Sequence, residues 1–228
     1  MNFYGWNKLS FLDYPKKVST LVFTKGCNLR CPWCHNPSLV KYSLMKKISE
    51  KSIIDFIKEK NKNQRWIDAI VICGGEPTIH KELLSFLIKI KEHTGVLIKI
   101  DTNGTNPHLL KTAIRLGIVD YIAMDVKSDL ILRQSKLHEE YLKSIDIVKT
   151  ANDYEFRLTC VPGFVNEENI DMIMKPFYGS KILYLQQFHN DSKMIDKIMK
   201  EVEPFQLEQL IKWQKKFNKC FNKIVIRE

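Results

Sequence analysis

Cys27-Asn28-Leu29-Arg30-Cys31-Pro32-Trp33-Cys34 follows closely on Val18-Ser19-Thr20-Leu21-Val22-Phe23-Thr24, and the join between the two stretches decides how the chain folds. The second stretch is β-branched and apolar, so it reads as a buried strand, and the thiols sit in the loop that leaves its C-terminal end. C-x3-C-x2-C supplies only three thiolates. A four-iron cube held by Cys27, Cys31 and Cys34 keeps one iron open for a small chelating molecule. A structural zinc ion normally takes four ligands. His35 directly follows Cys34 and would be strained onto the same tetrahedron, and no second C-x2-C pair exists. A zinc site and three unrelated core thiols stay as the competing readings. Cys73, Cys160 and Cys220 lie in strand or helix runs and read as small packed hydrophobes.

Outward from that join, short β-branched runs alternate with segments of 3.6-residue period, the pattern of repeated βα units on a parallel sheet. Strands are expected at 18–24, 67–73, 96–101, 119–125, 155–161 and 181–187. Helices are expected at 48–62, 82–93, 107–116, 138–150, 166–177 and 204–219, with a short terminal strand at 223–227. The fold class is therefore α/β, a partial (βα)6 barrel. Six units fall short of the usual eight, which leaves the barrel laterally open toward the strand C-termini, where barrel chemistry sits.

The unusual polar groups follow this scheme. Gly74-Gly75-Glu76-Pro77 comes after the second strand, Asp101-Thr102-Asn103-Gly104 ends the third and Asp125-Val126-Lys127 ends the fourth. Arg157 through Pro162-Gly163 belongs to the fifth, and His189 closes the sixth. Two glycines let backbone carbonyls approach a ligand without a Cβ in the way, and Glu76 offers a carboxylate to an ammonium. The plain competing role for Glu76 is an acidic cap on a strand-to-helix turn.

The chain has 228 residues, 44% of them hydrophobic, enough for a sizeable core and expected as one domain spanning 1–228. Lys and Arg number 36 against 26 Asp and Glu, a formal charge of +10. The lysines are scattered over helix surfaces without interleaved arginines and aromatics, which argues against a nucleic-acid groove. No apolar stretch approaches the roughly 20 residues that span a bilayer, so no membrane role is expected. Three crowded thiols and no leader-like N-terminus point to the cytoplasm.

The cysteine motif, with Trp33 as the aromatic before the last thiol, resembles the signature of the radical S-adenosylmethionine (SAM) superfamily, and Gly74 to Pro77 match that superfamily's second motif. Phe11-Leu12-Asp13-Tyr14-Pro15, Thr24-Lys25-Gly26-Cys27, Cys34-His35-Asn36-Pro37, Asp101 to Gly104, Asp125 to Lys127 and Val161-Pro162-Gly163 look like the activating enzymes of glycyl-radical proteins. The "DYP", "CPWCHNP" and terminal "IVIR" elements are most similar to anaerobic ribonucleoside-triphosphate reductase activating proteins. The resemblance implies a [4Fe-4S] cluster on Cys27, Cys31 and Cys34, with S-adenosylmethionine on its open iron. Trp33 would lie beside the adenine, and Gly74, Gly75, Glu76 and Pro77 around the methionyl ammonium. It further implies that Asn36 and Lys127 contact S-adenosylmethionine and that His189 lies near the ribose. Asp101, Thr102 and Asp125 would lie near the carboxylate, where pyruvate formate-lyase activase holds a monovalent cation. Arg157 and Asp13 would stand by the route of the target peptide.

The implied reaction is reductive cleavage of S-adenosylmethionine to a 5′-deoxyadenosyl radical, which takes the α-hydrogen of a glycine in a large partner. That partner would be an anaerobic ribonucleoside-triphosphate reductase, and the electron donor a flavodoxin or ferredoxin. Two readings from other classes remain open at this point. One is a radical enzyme acting on a small molecule, as in the contraction of a pterin to 7-deazaguanine. The other is a non-catalytic iron–sulfur or zinc module, which would have no use for the GGEP segment.

Overall fold

The computed structural model describes residues 1–40, 46–128, 136–190 and 193–228. Contacts gather them into two compact units, one of residues 1–30, 36–102 and 108–122, the other of residues 31–35, 103–107 and 123–228. The fold is α/β with a mostly parallel main sheet of eight strands.

The first unit begins with β1 (Asn2–Phe3) and β2 (Gly5–Ser10), followed by β3 (Ser19–Thr24) and a single helical turn, α1 (Pro37–Val40). Then come β4 (Ile48–Ser49), α2 (Glu50–Lys60), β5 (Ala69–Gly74), α3 (Leu83–Thr94), β6 (Leu97–Thr102) and most of α4 (Pro107–Arg115). Its strands run β6-β5-β3-β2, parallel except for β2, which pairs antiparallel with β3, while β1 and β4 form a separate two-stranded ribbon. Val22, Ile70, Ile72, Ile98 and Ile100 pack with Ile53 and Ile57 of α2 and with Phe86 and Ile90 of α3. These unbroken apolar runs are what a parallel sheet covered by helices requires. The β3–β5 register sets Thr24 beside Gly74, so the loop carrying Cys27 and the GGEP turn leave the sheet together.

The second unit takes up the end of β7 (Tyr121–Asp125), then α5 (Lys136–Lys149), β8 (Tyr154–Cys160), α6 (Ile170–Met174), β9 (Ile182–Gln187), α7 (Leu207–Phe217) and β10 (Lys223–Arg227). Strands β8, β9 and β10 are parallel. The expected helix at 166–177 is shorter than its periodicity suggests. Asn166 Oδ1 accepts from the amides of Glu168 and Asn169 at 3.0 Å each, holding that stretch as a turn, and Pro176 lies in a 3₁₀ turn that follows α6. The six expected strands are all present, and the terminal strand forms at 223–227. The additions are β1, β2 and β4; β4 takes the first two residues of the helix expected at 48–62, and the pairing of β2 with β3 shifts register between Asn7 and Ser10. Among the described residues no helix is long and apolar enough to cross a membrane.

Candidate active site

In the first unit the GGEP turn is pressed against the chain that leads into Cys27. A Cβ on Gly75 would lie 1.8 Å from the Gly26 carbonyl oxygen, and one on Gly74, whose φ is +122°, would lie 2.4 Å from Thr24 backbone atoms. Gly75 N–H donates to Thr24 O at 3.0 Å and Glu76 N–H to Gly26 O at 2.8 Å. The two glycines therefore serve backbone-to-backbone contact with the cysteine loop, a reason the sequence alone did not supply. Gly26 N–H in turn donates to Leu39 O at 2.7 Å, fastening the loop to α1, which opens just after the exposed Asn36.

Glu76 is 1% exposed. Its Oε1 accepts from Thr78 N–H at 3.0 Å, Thr78 Oγ1 at 2.5 Å and Thr102 Oγ1 at 2.7 Å. The carboxylate thus caps the 3₁₀ turn Pro77–Ile79 and reaches across to the end of β6. One residue before Thr102, Asp101 lies 3.0 Å from the ammonium of Lys99, which is 4% exposed and also donates to the Asp13 carbonyl at 2.6 Å. The Asp13 carboxylate accepts from Ser10 Oγ.

In the second unit Asp125, at the end of β7, stands between two cations. Its Oδ2 is 3.0 Å from Lys127 Nζ, and its Oδ1 accepts from Arg157 Nε at 3.0 Å, with Nη2 at 2.8 Å. Burial pushes the carboxyl upward, but Lys127 and then Arg157 outweigh it and hold the group at about 2. Burial would lower Lys127, yet Asp125 and then Cys31 raise it well above the ordinary lysine value. Cys31 and Lys127 are therefore electrostatic neighbours. Tyr141 Oη donates to Asp125 O and accepts from Lys127 N–H, both at 2.9 Å, which ties α5 to this strand end, and burial pushes its phenol upward.

Trp33 is buried with Val161, Phe188, Met194 and Met199, its ring 4.4 Å from that of Phe164. Cys31 packs at the edge of this cluster. His189 is exposed, one residue beyond buried Phe188. None of the six cysteines is in a disulfide, and burial pushes Cys160 up to about 12, so it is an inert core group. Cys27, Cys31 and Cys34 are half-buried, and Leu29 N–H lies 3.4 Å from Cys27 Sγ. Among the described residues no three His, Cys, Asp or Glu side chains converge on a point where an ion would sit. Three accessible soft donors on one loop, with a backbone N–H aimed at one sulfur, have the chemistry of an iron–sulfur ligand set.

Sequence reading did not single out Lys99, Thr78 or Tyr141. Lys99 left a signal, a lone cation inside Leu97-Ile98-Lys99-Ile100. Tyr141 left none, because nothing local marks a hydroxyl that serves a strand end 16 residues earlier.

Residues 21–175 match the family model of the radical SAM superfamily, and the chain belongs to that superfamily. Its relatives narrow the class. It is 35% identical, over 96% of its own length and 92% of the other's, to a protein of Methanocaldococcus jannaschii assigned as a glycyl-radical enzyme activating enzyme, and it belongs with those activating enzymes. A 7-carboxy-7-deazaguanine synthase of Aquifex aeolicus is 38% identical, but over 38% of this chain and 36% of that one. Among solved structures, the radical SAM coproporphyrinogen III oxidase of Escherichia coli superposes with a TM-score of 0.58 at 14% identity, over 92% of this chain and 54% of that one, a likeness of fold.

Proposed function

We propose that this activating enzyme installs a glycyl radical on an anaerobic ribonucleoside-triphosphate reductase, working as a single radical SAM domain in the cytoplasm with a flavodoxin or ferredoxin as electron donor. The observation that carries the reading is the near full-length match to an activating enzyme, together with a C-x3-C-x2-C loop and a GGEP turn that begin at the paired ends of β3 and β5. Cys27, Cys31 and Cys34 would hold a [4Fe-4S] cluster. When bound, the cluster and S-adenosylmethionine supply one-electron chemistry ending in removal of a glycine α-hydrogen.

The chain's own part is to bind and to orient. Glu76 offers a buried negative charge to the methionyl ammonium, its geometry fixed by Thr78 and Thr102. Lys127, Asn36 and His189 would contact the rest of S-adenosylmethionine, and Trp33 its adenine. A monovalent cation would have to share Asp101 with Lys99, and Asp125 with Lys127 and Arg157. Asp13 and Arg157 are assigned to the glycine peptide's route.

A small-molecule reading has one observation behind it, the local likeness to 7-carboxy-7-deazaguanine synthase. One experiment separates the two. The anaerobically reconstituted protein is reduced with dithionite and given S-adenosylmethionine and the purified reductase of the source organism. A glycyl-radical doublet in electron paramagnetic resonance, with 5′-deoxyadenosine released, is expected. Release of 5′-deoxyadenosine with no radical on the reductase would overturn the partner assignment.

A further inference from the structure

Phe11 and Leu12 are 72% and 93% exposed, the two most exposed large apolar side chains among the described residues, and Leu9 beside them is 47% exposed. They form the tip of the turn after β2, a strand at the sheet edge. This tip is not loose. Ser10 is buried beneath it, and its Oγ accepts from the amides of Leu12 at 3.2 Å and Asp13 at 3.3 Å while donating to the Asp13 carboxylate. Tyr14 is buried with its ring 5.7 Å from that of Tyr121, and Lys17 N–H closes a turn on Tyr14 O at 3.3 Å. Lys16 sits at φ 57°, a left-handed conformation that a lysine adopts only where its surroundings impose it. Lys99 reaches from β6 to the Asp13 carbonyl.

A tip fastened at so many points, yet apolar and solvated, loses little conformational freedom when it is covered, which is what makes a binding anchor efficient. Lys16 and Lys17 follow it in the chain and are exposed. Asp13 is the one acid among residues 1–20, and Ser10 hydrogen-bonds to its carboxylate. A protruding apolar pair followed by two exposed lysines fits a protein surface that offers an apolar socket with carboxylates at its rim. The tip is also continuous with the candidate site. Lys99, which pins it, pairs with Asp101, and the next residue, Thr102, bonds Glu76.

We infer that Phe11 and Leu12 are the anchor by which the protein substrate, the glycyl-radical enzyme, docks on this chain. The inference rests on the proposed function. Its test uses full-length, cluster-loaded protein with dithionite as reductant, so that no donor protein is needed. Phe11→Ser/Leu12→Ser and Leu12→Glu are compared with wild type in two assays. One is 5′-deoxyadenosine release without a protein substrate. The other is glycyl-radical yield against the concentration of each purified glycyl-radical enzyme of the source organism.

The expected result is unchanged release in the first assay and a half-saturating substrate concentration at least tenfold higher in the second. Unchanged half-saturation overturns the anchor, as does a matching loss in both assays for Leu12→Glu, whose side chain has no packing to lose. So does a wild-type dimer that Leu12→Glu dissociates on gel filtration, since a second copy would then cover the tip. Release without a radical on any of these enzymes removes the proposed function, and the anchor with it.

Discussion

Thr102 Oγ1 donates to Glu76 Oε1 across 2.7 Å, joining the end of β6 to the turn after β5 at a carboxylate that is 1% exposed. Thr102→Val removes the donor and keeps the shape, leaving a buried charge with one partner fewer. Stability should fall by about 1–3 kcal/mol, and Thr102→Ser should recover most of it. Urea unfolding of the three proteins decides the matter, and equal midpoints for threonine and valine would remove this bond from the account.

Gly75→Ala should cost more. Its new Cβ would stand 1.8 Å from the Gly26 carbonyl oxygen, and both sides of that contact are backbone. About 3 kcal/mol is expected, the upper end of overpacking costs. A midpoint within experimental error of wild type would show that the GGEP turn does not press on the cysteine loop.

Asp125→Asn leaves Lys127 and Arg157 facing each other without the carboxylate between them. The folded-state value is depressed from 3.8 to about 2, so the charge stabilises the fold fully above pH 4 and loses that effect as pH falls through 2. The stability gap between wild type and variant should be constant from pH 7 to pH 5 and shrink from pH 4 toward pH 2. Denaturant titrations across that range test it, and a gap that grows on acidification would contradict the assigned ion pairs.

Tyr141→Phe deletes a hydroxyl that serves two backbone groups, the carbonyl of Asp125 and the amide of Lys127. A loss of about 1–3 kcal/mol is expected from the orphaned groups. Hydrogen exchange at the Lys127 amide gives the local readout, and protection equal to wild type would assign Tyr141 to packing alone.

What could be read from the sequence follows the range of each interaction. Strands β3, β5 and β6 were legible because burial on both faces demands unbroken β-branched runs, and their expected bounds differ from the observed ones by two residues or fewer. The edge strand β2 was not, because Gly5-Trp6-Asn7-Lys8-Leu9-Ser10 packs on one side only and its pairing slips register. At the site, the residue types and their strand-end positions were legible, since metal and ligand chemistry selects cysteine, glycine and acid at fixed spacing. The contacts of Lys99 with the Asp13 carbonyl and of Tyr141 with the Asp125 carbonyl span 86 and 16 residues in sequence and exist only in the folded chain, whereas Thr78 meets Glu76 within one turn.

Cys27, Cys31 and Cys34 are proposed to hold a cluster whose open iron binds S-adenosylmethionine. The most direct measurement is iron content together with 5′-deoxyadenosine release from anaerobically reconstituted wild type and Cys31→Ala under dithionite. About four irons and product are expected for wild type, with both lost in the variant. Full product from Cys31→Ala, or a stoichiometric zinc ion in place of iron in the wild type, would contradict it.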